Sequence, residues 1–197
     1  MTDQQLIRAV LDGDVQLFAE LVRRYDSRIK VFIFHMLKSV HMESLTEDMC
    51  QETFYKAYRN LKSFREQEAA FSTWLYTIAR NSVISELRKH RGVVVSLDES
   101  MQLMETAQNV SPEQAVLSQE KVSLVRKAIS NLSEKQRSAL ILREYNQLEY
   151  QEIAEILGQP VSSIKSLLFR ARASVKLQLD SYYGDYWKKT YKEVERK

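Results

Sequence analysis

Cysteine occurs once in the 197 residues, at Cys50. A single thiol excludes an internal disulfide and a Cys-rich metal site, and it suits a reducing cytosol. Histidine occurs three times, scattered along the chain, and no Gly-rich phosphate loop is present. Neither a metal site nor a nucleophile–base constellation can be assembled from that set, so no enzyme, cofactor or metal is expected. Four Gly, two Pro and the lack of any long alternating Val/Ile/Thr run predict a mostly helical chain. No apolar run approaches the roughly 18 residues of a membrane span. The opening "MTDQQLIRAVLDGD" is acidic and has no apolar core of signal-peptide length. A soluble, cytoplasmic protein without membrane insertion is expected. The net charge of +3 is too small to imply nucleic acid by itself. What counts is how the charge is distributed.

Leu6, Ile7, Val10 and Leu11 have helical spacing, and "DGD" at 12–14 interrupts it. Asp14 is a candidate N-cap for a helix carrying Leu17, Phe18, Leu21 and Val22. The apolar stretch at 29–37 suits a buried helix. Further helices are expected over 43–64 and from about Ser72 to His90. The segment from Gly92 to Pro112 has no basic residue and little period. It reads as a linker of about twenty residues, long enough to separate two domains. Helical patterning returns over 113–130 and 134–145, where Ser133 and Gln136 form a capping-box pattern. The expected fold is all-α: two small helical domains joined by a flexible linker.

The stretch 149–176, "EYQEIAEILGQPVSSIKSLLFRARASVK", reads as helix, break, helix. Ile153, Ile156 and Leu157 form the first apolar stripe. Gly158 can take the positive φ of a helix end, and Pro160 stops continuation. Ser162 or Ser163 is a candidate N-cap. Ala154 is small enough for a helix crossing, and Ile164 can anchor the second helix. These offsets are those of a helix-turn-helix, over 150–169. On a wheel, Ile164, Leu167, Leu168, Ala171 and Val175 share an arc of about 100°. The remaining face holds four cations and no acid. It is expected to enter a DNA major groove, with Ser162, Ser163, Lys165, Ser166 and Phe169 nearest the bases and Arg170, Arg172 and Lys176 on phosphates. Phe169 lies nearly opposite the core arc, where a thymine methyl is a suitable contact.

Between Glu43 and Glu52 lie four acids and no Lys or Arg. Glu47, Asp48, Gln51 and Glu52 share one helix side, which suits a protein partner with a basic surface. The helix at 72–90 puts Trp74, Leu75, Ile78 and Ala79 on an apolar arc with Phe71. Thr73, Tyr76, Thr77, Arg80, Asn81 and Arg88 lie outside it, and Lys89 adds charge at the end. Tyr76, near Arg80, is the candidate for stacking on a base.

These three elements, in this order, resemble the extracytoplasmic-function (ECF) sigma factors of the sigma-70 family. "TEDMCQETFYKAYRNLKSF" is similar to the family's core-polymerase-binding helix, through Glu47, Asp48, Gln51, Glu52 and Phe54; Thr46 replaces a usual Ala. "FSTWLYTIARNSVISELRKHR" is similar to the helix that reads the −10 element, with Ser85 where Asp is frequent. The segment 132–179 is similar to the −35-reading domain, with Ser162 for a frequent Gly and Leu167 for a frequent Arg. The resemblance implies region 2 over 1–91, a linker over 92–112, region 4 over 113–180 and an extension over 181–197. It implies core RNA polymerase as partner, through the β′ clamp helices and the β flap. It further implies promoter DNA, with a −10 base captured by 72–91 and the loop at 63–70, and an anti-sigma factor.

A one-component helix-turn-helix regulator is the alternative. It accounts for 149–176 but leaves the acidic helix and the second basic helix without a role. Beyond the family pattern, Tyr182, Tyr183, Tyr186, Trp187 and Tyr191 crowd the last residues. Disordered tails are poor in aromatics, so a further helix or turn is expected there, folded on the second domain or docking a partner.

Overall fold

The structure is a computed structural model that describes the backbone of residues 1–67, 69–91 and 112–194, and side chains within 1–67, 69–90 and 121–181. Eight α-helices are described: α1 (Asp3–Leu11), α2 (Phe18–Lys38), α3 (Thr46–Arg59), α4 (Phe71–Arg91), α5 (Pro112–Ser130), α6 (Glu134–Glu144), α7 (Tyr150–Leu157) and α8 (Val161–Val194). Among the described residues there is no strand. The expected linker lies, apart from Pro112, outside them.

Helix α1 starts where Thr2 and Gln5 close a reciprocal capping box, at 3.3 and 2.9 Å. Its buried stripe is Leu6, Ile7 and Val10. The predicted cap Asp14 does not open α2. Gly13, at φ +117, turns the chain into a short 3-10 turn over Val15–Leu17, and the α-helix begins only at Phe18. Arg24 of α2 ties the N-terminus down through Asp3 Oδ1 and the Met1 carbonyl, both at 2.9 Å.

The first three long helices share one core. Leu21, Ile29, Phe32, Ile33, Met36 and Leu37 line the buried side of α2. From α3 come Met49, Cys50, Phe54 and Ala57, and from α4 Phe71, Leu75, Ala79, Val83 and Ile84. Phe64, Phe71 and Trp74 form an aromatic cluster with centroids 5.3–5.8 Å apart. Trp74 is partly buried against the core, as its place on the apolar arc predicts.

The second set, α5–α8, closes around Ile129, Leu132, Leu140, Ile141, Leu142, Ile153, Ile156, Leu157, Ile164 and Leu168. Ser133 and Gln136 cap α6 reciprocally, as the sequence predicts. The two cores are continuous: α6 packs on α2, and α7 on α4. Helix α8 does not stop at the family boundary and runs unbroken to Val194.

Candidate nucleic-acid interface

The turn between α7 and α8 is built from few residues with strict backbone demands. Glu149 opens α7, its backbone N–H donating to Glu152 Oε2 at 2.8 Å. Gly158 ends the helix in the left-handed conformation, at φ 59 and ψ 43. There its N–H and that of Gln159 satisfy the carbonyls of Glu155 and Ala154. Helix α8 begins at Val161, so Ser162 and Ser163 sit inside its first turn and do not precede it. Pro160 accounts for this: its fixed φ suits a helix start, and its carbonyl accepts from Ser163 and Ile164. Ala154 and Ile164 are buried at the crossing.

That geometry presents the predicted reading face to solvent. Ser162, Lys165, Ser166, Arg170, Arg172 and Lys176 are exposed, Ser163 is half-buried, and Phe169 is 73% exposed. Leu167 is partly buried against the core, which excludes it from that face. Arg172 is engaged: its Nε and Nη2 donate to Glu144 Oε1 at 3.0 and 2.6 Å. Hydrogen bonding to that carboxylate holds its pKa above the ordinary arginine value.

Helix α4 is different. Thr73 and Tyr76 are 3% and 2% exposed, Thr77 is half-buried with its hydroxyl donating to the Thr73 carbonyl, and Asn81, Arg88 and Lys89 are exposed. Tyr76 was expected to offer its ring to a base. Here the ring lies edge-on to Phe32, with centroids 5.8 Å apart. Asn146 Nδ2, on the α6–α7 turn, donates to its hydroxyl at 3.0 Å. Burial pushes the phenol up to about 12. Arg80 and Arg88 converge on one carboxylate: their Nη2 atoms lie 3.1 and 3.0 Å from the two oxygens of Glu134. Burial lowers the pKa of Arg80, with Glu134 opposing it.

On α3 the acids face outward. Glu47, Asp48 and Gln51 are exposed and Glu52 is half-exposed. Glu47 pairs with Lys30 at 3.1 Å and Glu52 with Lys56 at 2.6 Å. Beneath them Cys50 is buried with its thiol on Asp26. Burial first, and then Asp26, push that thiol up to about 12, so it is unreactive while packed. Among the described residues, no group of three or more His, Cys, Asp or Glu is placed to hold a metal ion. Nor is any helix long and apolar enough to cross a membrane.

Three surfaces therefore stand in one chain: an exposed basic helix-turn-helix face, an acidic face on α3, and a basic helix α4 that is partly covered. Sequence reasoning missed the residues that meet the candidate side chains: Glu134 and Glu144 on the arginines, and Asn146 on Tyr76. Their partners lie 54, 28 and 70 positions away, beyond any helical period.

Residues 21–93 match the family model for sigma-70 region 2, and residues 123–175 match that for sigma-70 region 4. The chain is 34% identical over 186 residues to the ECF RNA polymerase sigma factor SigW of Bacillus subtilis, covering 91% of this chain and 97% of the relative. It is 36% identical over 181 residues to the RNA polymerase sigma-H factor of Pseudomonas aeruginosa, covering 88% and 91%. Among solved structures it is similar to the sigma factor RpoE from Bartonella quintana, solved in complex with the anti-sigma factor NepR. That likeness has a TM-score of 0.60 and 26% identity, and covers 82% of this chain and 97% of the other. CnrH, solved with the cytosolic domain of CnrY, shares the fold at a TM-score of 0.67 and 20% identity, over 91% and 97% of the two chains.

Proposed function

Because the chain belongs to the ECF group of the sigma-70 family of RNA polymerase sigma factors, we propose that it binds core RNA polymerase through the outer face of α3 and directs it to promoters with −10 and −35 elements. It is a transcription initiation factor and not an enzyme. Residues 1–91 act as region 2 and 113–180 as region 4, joined by the 92–112 linker and followed by the 181–197 extension. Glu47, Asp48, Gln51 and Glu52 meet the β′ clamp helices, and the second unit meets the β flap. The exposed face of α8 reads the −35 element: Ser162, Ser163, Lys165, Ser166 and Phe169 lie nearest the bases, and Arg170, Arg172 and Lys176 reach phosphates. Thr73, Tyr76, Thr77, Arg80, Asn81, Arg88 and Lys89 of α4 serve the −10 element. Strand opening then draws on binding energy. An anti-sigma factor, as in the Bartonella quintana complex, controls the chain, and its place of work is the cytoplasm.

The observation that carries this reading is the occurrence of both family matches, each on its own helical unit, with the basic face of the helix-turn-helix left open. Run-off transcription with core polymerase on a genomic library, followed by 5′-end mapping, tests it. Specific transcripts that need both proteins are expected. A chain that shifts a specific duplex in a gel without polymerase, and yields no transcript with it, would be the one-component regulator.

A further inference from the structure

Between α2, α5 and α6 lies a cavity of about 310 Å³. Its apolar walls are Val122, Val125 and Ile129 of α5 and Ile141 of α6. Val122 remains 51% exposed, so apolar surface at this site stays in contact with water. The His35 and Tyr145 rings, stacked at 3.5 Å, form a further wall. Burial, and then Lys38, hold His35 below its ordinary value, so near pH 7 that ring is neutral. The charge comes from Lys38, Lys121 and Arg126, which also line the cavity, and no acid does. Other arginines of the chain meet carboxylates: Arg80 and Arg88 share Glu134, and Arg172 has Glu144. Among the described residues no carboxylate meets Arg126. Its Nη1 lies 3.4 Å from His41 Nδ1, and its Nε is buried without a partner. A buried guanidinium donor without an acceptor is costly, and a carboxylate satisfies Nε and one Nη together.

We propose that this cavity binds a small carboxylate with an apolar body, its carboxylate on the Arg126 fork and its body against Val122, Val125, Ile129 and Ile141. Size argues for a small molecule. Small-ligand pockets begin at about 300 Å³, whereas a single turn of a partner's helix occupies roughly 420 Å³. Composition argues for the class. Apolar walls with a few placed polar groups are the usual make-up of a ligand site, and the groups here are all cationic. A purely apolar ligand would leave Arg126 Nε without an acceptor, and a bare inorganic anion would leave the walls wet. None of the cavity's residues is among those assigned to polymerase or promoter, so the site stands apart from the proposed function and is tested without either.

The probe is octanoate, titrated into the full chain by calorimetry below its micelle concentration. Amide NMR shifts locate it, and circular dichroism is the fold control. One molecule per chain should bind, at least tenfold more tightly than octanol, which lacks the charge, or acetate, which lacks the body. Arg126→Gln should lose at least tenfold. Val122→Glu, at an exposed position, puts a carboxylate one helical turn before Arg126; it competes with the ligand there and should lose as much. Lys127→Gln, exposed on the same helix but outside the cavity, should stay within twofold. Shifts should centre on Val125, Ile129 and Tyr145. Should Arg126→Gln lose helical signal, Val122→Glu decides alone. The site is overturned if octanoate does not saturate, if octanol binds as tightly, if the cavity variants match Lys127→Gln, or if the shifts lie elsewhere. The chain should not co-sediment with phosphatidylglycerol vesicles. Co-sedimentation that Val122→Glu abolishes would make the cavity a membrane contact and overturn the small-ligand site.

Discussion

Arg172 and Lys165 lie on the same helix but start from different states. Lys165 is exposed. Arg172 gives two hydrogen bonds to Glu144, and both side chains of that pair are about half exposed. A phosphate must therefore compete with Glu144 for Arg172. An exposed ion pair is worth at most about 1 kcal/mol, so Glu144→Gln should tighten −35 duplex binding by up to roughly fivefold. Arg172→Ala should weaken all duplexes alike and lower the salt slope by about one. Lys165→Ala should instead cost about 1–3 kcal/mol on the preferred sequence and relax preference at one position. Salt titrations of duplex affinity, on preferred and scrambled sequences, separate the three. An unchanged slope in Arg172→Ala would place that side chain away from phosphate.

At the scale of elements, the helix-turn-helix depends on one backbone position. Gly158 sits at φ +59, and a Cβ there would meet nothing within 4 Å. Gly158→Ala therefore carries only conformational strain, about 1–2 kcal/mol for an L-residue in the left-handed region. A melting temperature lowered by several degrees, with the helical signal kept, is the expected result. An unchanged melting temperature would mean the turn relaxes out of that conformation. Helix α3 gives the second prediction. Glu47→Lys with Asp48→Lys reverses two exposed charges and puts a like charge beside Lys30, which now pairs with Glu47 at 3.1 Å. Core-polymerase affinity in a titrated pull-down should fall at least tenfold while circular dichroism stays unchanged. Equal affinity would remove α3 as the docking face. Elements such as these were legible in the sequence because their signals are local. The Ser133–Gln136 box, the Ala154–Gly158–Ile164 offsets and the acid-only run on α3 each lie within a few helical turns. Asp14 misled because the turn set by Gly13 spends three residues in a 3-10 helix before α2 begins.

At the scale of the whole molecule, the sequence shows two units and is silent on how they meet. The contact rests on pairs such as Tyr76–Asn146 and Arg80–Glu134, which no period links. Tyr76 turns that contact into something measurable. Its phenol is 2% exposed, with burial pushing it from its usual 10 up to about 12. Between those values the unfolded chain loses the Tyr76 proton while the folded chain keeps it. Stability from this group is therefore fully present below pH 10 and is lost as pH rises toward 12. Two pH units at about 1.4 kcal/mol each cap its share at roughly 3 kcal/mol. Cys50, pushed from its usual 9 up to about 12, acts in the same direction from a lower starting pH. Denaturant unfolding of the parent should thus weaken above pH 9 and more steeply above pH 10. Tyr76→Phe should be less stable at pH 8, since Asn146 loses one of its two acceptors, and should show a shallower fall above pH 10. Parallel curves for the two proteins would mean that the Tyr76 phenol titrates as if in water. The ring would then not be buried against Phe32 and the α6–α7 turn.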